Sequence, residues 1–290
     1  MLILHKVQPL IRCYFPRLPS SSSSSAYGHE GIASFFCSAA SSDYSASAYL
    51  NSILSGLHQI QYPSLPFLRK SHALVITTGN GDNPFVSAKL ISLYASLHAP
   101  HSSTKLFHSL HRKDTFLWNS VVKSHFSNGN YLEAFRFFTL MRLSGTLPDQ
   151  FTIPMAVATC AELLWLHQGK LVHGLVARCG LFGGNSAVAS SFLYMYAKCG
   201  CMDDASSMFD EIPVRDVVSW TALIVGYIQN GESEKGLEIL CEMNRVGGDG
   251  ERPNFRTLEG GFQACGNLGA SGEGSCLHCL AVKTGLEHSQ

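Results

Sequence analysis

The chain has 290 residues, 46% of them hydrophobic and 14% charged, and its 21 basic residues are balanced by 21 acidic ones. It is apolar enough to bury a substantial core, but it lacks the global positive field that usually accompanies nucleic-acid binding. No run reaches the roughly 18 apolar residues that a membrane span needs; Phe151 to Leu166 comes nearest and contains Glu162.

The first segment differs from the rest. Lys6, Arg12 and Arg17 precede the first acidic residue, Glu30, and a serine run follows from Ser20 to Ser25. Basic, acid-free and serine-rich is the composition of an organelle transit peptide, so residues 1–47 are expected to be a transit peptide and a Ser-rich linker. A secretory signal fits less well, because His5, Lys6, Gln8, Pro9 and Arg12 interrupt its would-be apolar stretch. The expected destination is the mitochondrion, with the plastid as the alternative suggested by the serine run. Without a secretory signal the ten cysteines read as reduced, small, buried thiols rather than a disulfide framework.

Beyond the leader the sequence repeats. Trp118 and Trp220 lie 102 positions apart, as do Tyr94 and Tyr196, Phe107 and Phe209, and Asp114 and Asp216. A His followed by Gly seven positions later occurs at His72/Gly79, His173/Gly180 and His278/Gly285, and the second interval is longer by residues in the glycine-rich Gly247 to Gly250. Within one period, Thr115 to Asp149 reads as two amphipathic helices. Trp118, Val121, Val122, His125 and Phe126 follow helical spacing, Ser127 to Asn130 break it, Ala134, Phe138 and Met141 resume it, and Gly145 and Pro148 end it. Two short helices cannot bury an apolar face alone, so stacked neighbours must complete the core. The fold class is therefore all-α, a superhelical solenoid of helix-turn-helix repeats.

Val217 to Gly231, with Glu242 and Met243 after it, resembles a pentatricopeptide repeat, and so does Thr115 to Asp149. Met195 to Gly200 and Met208 to Asp216 are similar to the short repeat of the plant class that alternates ordinary (P), long (L) and short (S) forms. The division that follows is L 48–83, S 84–114, P 115–149, L 150–185, S 186–216, P 217–254 and L 255–290, with an insertion around Gly248 to Gly250. The resemblance implies a right-handed superhelix. The chain stops as an L repeat closes, without a distinct polar cap, which is the expectation for a piece of a longer protein.

The resemblance also implies a mode of action, one RNA base held per repeat. Its base-reading positions fall here on Ala88 with Asp114, Asn119 with Asp149, Ser190 with Asp216, and Thr221 with Asn254. By the same resemblance Asn with Asp prefers U, Ser with Asp prefers G, and Thr with Asn prefers A, while Ala88 discriminates poorly. Phe85, Phe116, Ala187 and Val218 occupy the position that wedges between bases. The residue types leave other readings open: the Asp and Asn residues could cap the helix that follows, and Phe85 and Phe116 could be core aromatics.

Cys276 and Cys279 have CxxC spacing, but they stand alone on an expected second helix and read as packing residues rather than zinc ligands. Cys160 and Cys265 recur at one L-repeat position, as small buried side chains would. No His is followed two positions later by Glu, so the zinc-deaminase signature is missing. The expected function is a sequence-selective single-stranded RNA adaptor for organelle RNA processing, acting in C-to-U editing with a deaminase supplied in trans. It is expected to have no catalytic centre, metal, cofactor or membrane partner. The alternative is a helical-repeat scaffold for protein partners, which the neutral charge favours and the short repeats oppose.

Overall fold

The computed structural model describes residues 64–180, 186–246 and 252–285. The expected transit peptide, the start of the first L repeat and the 248–250 insertion lie outside these residues. Among the described residues there are thirteen α-helices and no strand, so the chain is an all-α helical-repeat protein. It divides into two compact units, and the boundary along the chain falls between Pro148 and Asp149.

The first unit contains α1 (Leu65–Thr77), α2 (Pro84–Ser96), α3 (Pro100–Ser109), α4 (Thr115–Ser127) and α5 (Tyr131–Leu143). Side chains start three of these helices: Ser64, Asn83 and Asp114 each accept backbone N–H groups that the first turn leaves unpaired. Helix α2 packs against both α3 and α4, and α4 against α5. At the centre the Phe107 ring meets Trp118 edge-on at 4.6 Å and Phe137 at 5.6 Å, and all three are buried.

The second unit contains α6 (Thr152–Glu162), α7 (Leu166–Cys179), α8 (Ser186–Lys198), α9 (Met202–Asp210), α10 (Val217–Gln229), α11 (Ser233–Val246), α12 (Phe255–Leu268) and α13 (Ser271–Thr284). Here α6, α8, α10 and α12 pack in succession, and each is backed by the helix that follows it. This inner row is the most deeply buried part of the unit, with Ser219 to Ile228 enclosed without interruption along α10.

The 102-residue period now has physical content. Phe209 meets Trp220 at 4.7 Å as Phe107 meets Trp118. Nδ1 of His72 is 3.1 Å from the Tyr94 hydroxyl, and Nδ1 of His173 is 2.7 Å from that of Tyr196. The Asn128 amide donates to the Ala95 carbonyl at 3.0 Å, and Asn230 donates to Ala197 at 2.9 Å. Each of these repeated contacts joins one helix pair to the next. After α8 the chain turns through Gly200 at φ 80°, whereas the equivalent turn after α2 uses His98 at φ 54° and ties its ring to the Asn128 side chain at 3.0 Å. A histidine in that left-handed conformation costs about 1 kcal/mol relative to glycine, which the cross-link offsets in part.

The second unit also holds a half-buried polar cluster. Glu162 of α6 and Lys198 of α8 pair at 2.6 Å, and the Tyr194 hydroxyl donates to the same carboxylate at 2.9 Å. The charges are thereby matched where water cannot fully solvate them.

Of the eight described cysteines only Cys160 and Cys265 are buried, as expected for that repeated position. Burial pushes the Cys160 thiol up to about 12, so it stays protonated. Cys179, Cys241, Cys276 and Cys279 are exposed, and His278 with them. The packing expected of Cys276 and Cys279 is therefore not observed. On α13 it is Leu277 and Ala281, four positions apart, that face inward, and this turns the two thiols outward.

Candidate nucleic-acid interface

The residues at the helix starts set the geometry. Asp114 caps α4 through Oδ1, which accepts from Leu117 N at 2.9 Å. Asp216 caps α10 through Oδ1, which accepts from Ser219 N at 2.8 Å, and the Ser219 hydroxyl closes a capping box with the Asp216 backbone. Asn254 caps α12 in the same way, its Oδ1 accepting from Thr257 N at 2.9 Å and from the Thr257 hydroxyl at 3.0 Å. Asp149 accepts from Phe151 N at 2.9 Å and Thr152 N at 2.8 Å.

Capping was the open alternative for these residues, and the structure shows it at Asp114, Asp216 and Asn254; Asp149 instead holds the turn that leads into α6, whose N-cap position is Phe151. Capping does not exhaust the side chains. The second carboxylate oxygen of Asp114 and of Asp216, and the amide nitrogen of Asn254, have no hydrogen bond among the described residues, and the three side chains are partly or fully exposed. The cap fixes one heteroatom and holds the other in a set direction. Asp114 and Asp216 thereby present an acceptor, while Asn254 presents a donor, because its oxygen is consumed by the cap.

Asn83 belongs to the same series and was not singled out from sequence. Its Oδ1 accepts from Phe85 N at 3.1 Å and Val86 N at 3.2 Å, leaving its amide outward. An Asn directly before Pro84, at the first position of a helix, is a recognisable start signal.

The base-reading residues near the start of each repeat, Ala88, Asn119, Ser190 and Thr221, behave differently. Ala88, Ser190 and Thr221 are only 4%, 1% and 4% exposed, so none offers its side chain to solvent, and Asn119 is partly exposed. The Ser190 hydroxyl is buried with no hydrogen-bond partner among the described residues. The Thr221 hydroxyl has two, the Val217 carbonyl at 2.6 Å and the Thr257 hydroxyl at 2.8 Å.

The second-position aromatics lie on the surface rather than in the core, Phe85 64% and Phe116 52% exposed. Their rings are 6.2 Å apart and tilted by 47°. In the second unit Ala187 is exposed and Val218 partly so. Cations stand beside two of the caps: the Lys113 ammonium lies 5.4 Å from the Phe107 ring centre, and the Arg215 guanidinium 4.4 Å from that of Phe209. Among the described residues no group of three His, Cys, Asp or Glu side chains could hold a metal ion.

Comparison with known proteins follows the same periodicity. The family model described as PPR repeat matches residues 116–146, 188–217 and 218–247. The chain is 34% identical over 221 residues to the Arabidopsis thaliana pentatricopeptide repeat-containing protein At5g55740, chloroplastic, a match covering 76% of this chain and 26% of that protein. It is 36% identical over 220 residues to the Arabidopsis protein At3g03580, covering 76% of this chain and 24% of the relative. The chain therefore spans only about a quarter of the length of these relatives. Among solved structures, it superposes on the pentatricopeptide repeat protein PPR10 from maize with a TM-score of 0.57 at 17% identity, over 88% of this chain and 39% of that one. For PPR10 in complex with an 18-nt psaJ RNA element the TM-score is 0.58 at 18% identity, over 90% of this chain and 42% of that one.

Proposed function

Because the chain is built from pentatricopeptide repeats and belongs to that family, we propose that it binds single-stranded organellar RNA with base selectivity, its repeat boundaries supplying the groups that meet the base edges. One observation carries this reading, the division of labour within each cap. Asp216 leaves an acceptor, which suits the N1–H and N2–H donors of guanine. Asn254 leaves a donor, which suits the N1 acceptor of adenine. Phe85 and Phe116 offer exposed π-faces beside the series, and stacking on such faces is worth about 1–3 kcal/mol per base. The near-neutral charge points to modest affinity that weakens further with salt.

The finer assignments rest on the sequence. They are the division into alternating P, L and S repeats, a role in C-to-U editing with a deaminase acting in trans, and import directed by residues 1–47 into the mitochondrion. The plastid is the alternative destination, and one relative carries chloroplastic in its name.

The test is a binding assay on short RNAs varied at one position at a time, with the whole chain and with Asp216→Asn. The substitution keeps the capping oxygen and turns the outward acceptor into a donor. Preference at that position should move from G to A, by about 1–3 kcal/mol of discrimination. An unchanged base profile in a protein that still binds RNA would refute the cap as reader. Failure to bind any RNA, with protein partners captured instead, would favour the scaffold reading.

A further inference from the structure

Helices α11 and α13 enclose a shallow hollow of about 400 Å³ lined by Leu237, Leu240, Cys241, Gly272, Glu273, Cys276 and Leu277. Two features of the sequence open it. Phe135 and Phe138 stand 102 positions before Leu237 and Leu240, so the later helix carries smaller side chains at the corresponding places. His167 and Leu171 stand 105 positions before Gly272 and Cys276, so the later helix is smaller there too. A side chain at Gly272 would meet no atom within 4 Å, so its absence leaves real space. Two thiols, one from each helix, are exposed and border this apolar hollow. The mode of action proposed above does not use them.

We infer that the hollow between α11 and α13 is a covalent capture site for small, neutral, apolar electrophiles of the α,β-unsaturated carbonyl class, with Cys241 and Cys276 as the nucleophiles. The chemistry is conjugate addition. A thiolate sulfur attacks the β-carbon, a C–S bond forms as the C=C π-bond breaks, and the electron pair moves to the carbonyl oxygen. The resulting enolate takes back, at its α-carbon, the proton the thiol gave up, so no oxidant or leaving group is required. The hydrocarbon tail of the electrophile lies against Leu237, Leu240 and Leu277. Glu273, the acidic residue among those that line the hollow, is three positions before Cys276 on one helix face and selects against anionic reagents there.

The experiment treats the intact chain with crotonaldehyde and, separately, with 2-hexenal, and follows adducts at each cysteine by peptide mass spectrometry. Lengthening the tail should accelerate addition at Cys241 and Cys276, by up to about fourfold per methylene buried, but not at exposed Cys179. Equal gains at all exposed cysteines would overturn the site. A second arm compares iodoacetate with iodoacetamide: the ratio at Cys276 should be lower than at Cys179, and Glu273→Gln should raise it about twofold. A ratio that Glu273→Gln leaves unchanged would overturn the selection by charge.

Discussion

The rings of Phe85 and Phe116 stand 6.2 Å apart on successive inner helices of the first unit, tilted by 47° and both more than half exposed. Each is the second residue of its helix, directly above a capping side chain, Asn83 for α2 and Asp114 for α4. Aromatic, cap and helix start thus recur together along one edge of the stack.

Surface aromatics that serve a ligand should be separable from those that serve the core. Phe85→Ala and Phe116→Ala should leave stability within about 0.5 kcal/mol of the parent. Each should weaken RNA binding by about 1–3 kcal/mol. Phe107→Ala, at 1% exposure, should instead cost about 3–5 kcal/mol of folding stability. Urea melts alongside fluorescence anisotropy with labelled RNA distinguish the two classes, and a folding loss at Phe85 as large as that at Phe107 would contradict the assignment.

Ser190 and Thr221 occupy equivalent places but differ in hydrogen bonding. Removing the orphaned Ser190 hydroxyl by Ser190→Ala should leave stability unchanged or raise it by up to about 1 kcal/mol, since an unsatisfied buried group is lost. Thr221→Val deletes two hydrogen bonds and should cost about 1–2 kcal/mol. Denaturant titration of the two variants decides the matter, and equal costs would contradict it.

Two helical glycines should respond in opposite directions to alanine. A Cβ at Gly226 would lie 2.7 Å from the Ala197 Cβ across the α8–α10 contact, so Gly226→Ala should destabilise by about 1–3 kcal/mol. At Gly266 the added methyl would meet nothing within 4 Å, and Gly266→Ala should stabilise by up to about 1 kcal/mol through helix propensity. Thermal melts of the pair should move apart.

Acid should weaken the first unit through His125. Its Nε2 lies 2.7 Å from the Thr104 hydroxyl, while Nδ1 is buried with no hydrogen-bond partner among the described residues. Burial lowers its pKa below the usual 6.5, with Glu133 opposing and His101 adding slightly. The unfolded chain therefore binds a proton more readily than the folded one. Stability is full above about pH 6.5 and is lost as the pH falls from there through the lower folded-state value. Melting temperature should fall between pH 7 and pH 5, and His125→Gln should flatten that slope. A slope that His125→Gln leaves unchanged would point to other groups.

Much of this architecture is legible in one dimension. The 102-residue period, the breaks at Ser127–Asn130 and Gly145, and the Asp and Asn residues before each inner helix depend only on local backbone preference and spacing, so they survive without knowledge of the partners. The all-α stack follows because paired short helices must share a core. What the tertiary structure decided is which face each side chain presents. Phe85 and Phe116 could equally have been core residues, because helical spacing cannot say how far the neighbouring helix reaches over the first turn. Ser190 and Thr221 look alike in sequence, yet only Thr221 meets a hydroxyl from the next inner helix, that of Thr257 on α12, in addition to the Val217 carbonyl of its own helix. Cys276 and Cys279 turned outward because Leu277 and Ala281 claimed the buried face of α13, and side chains on one helix compete for one interface.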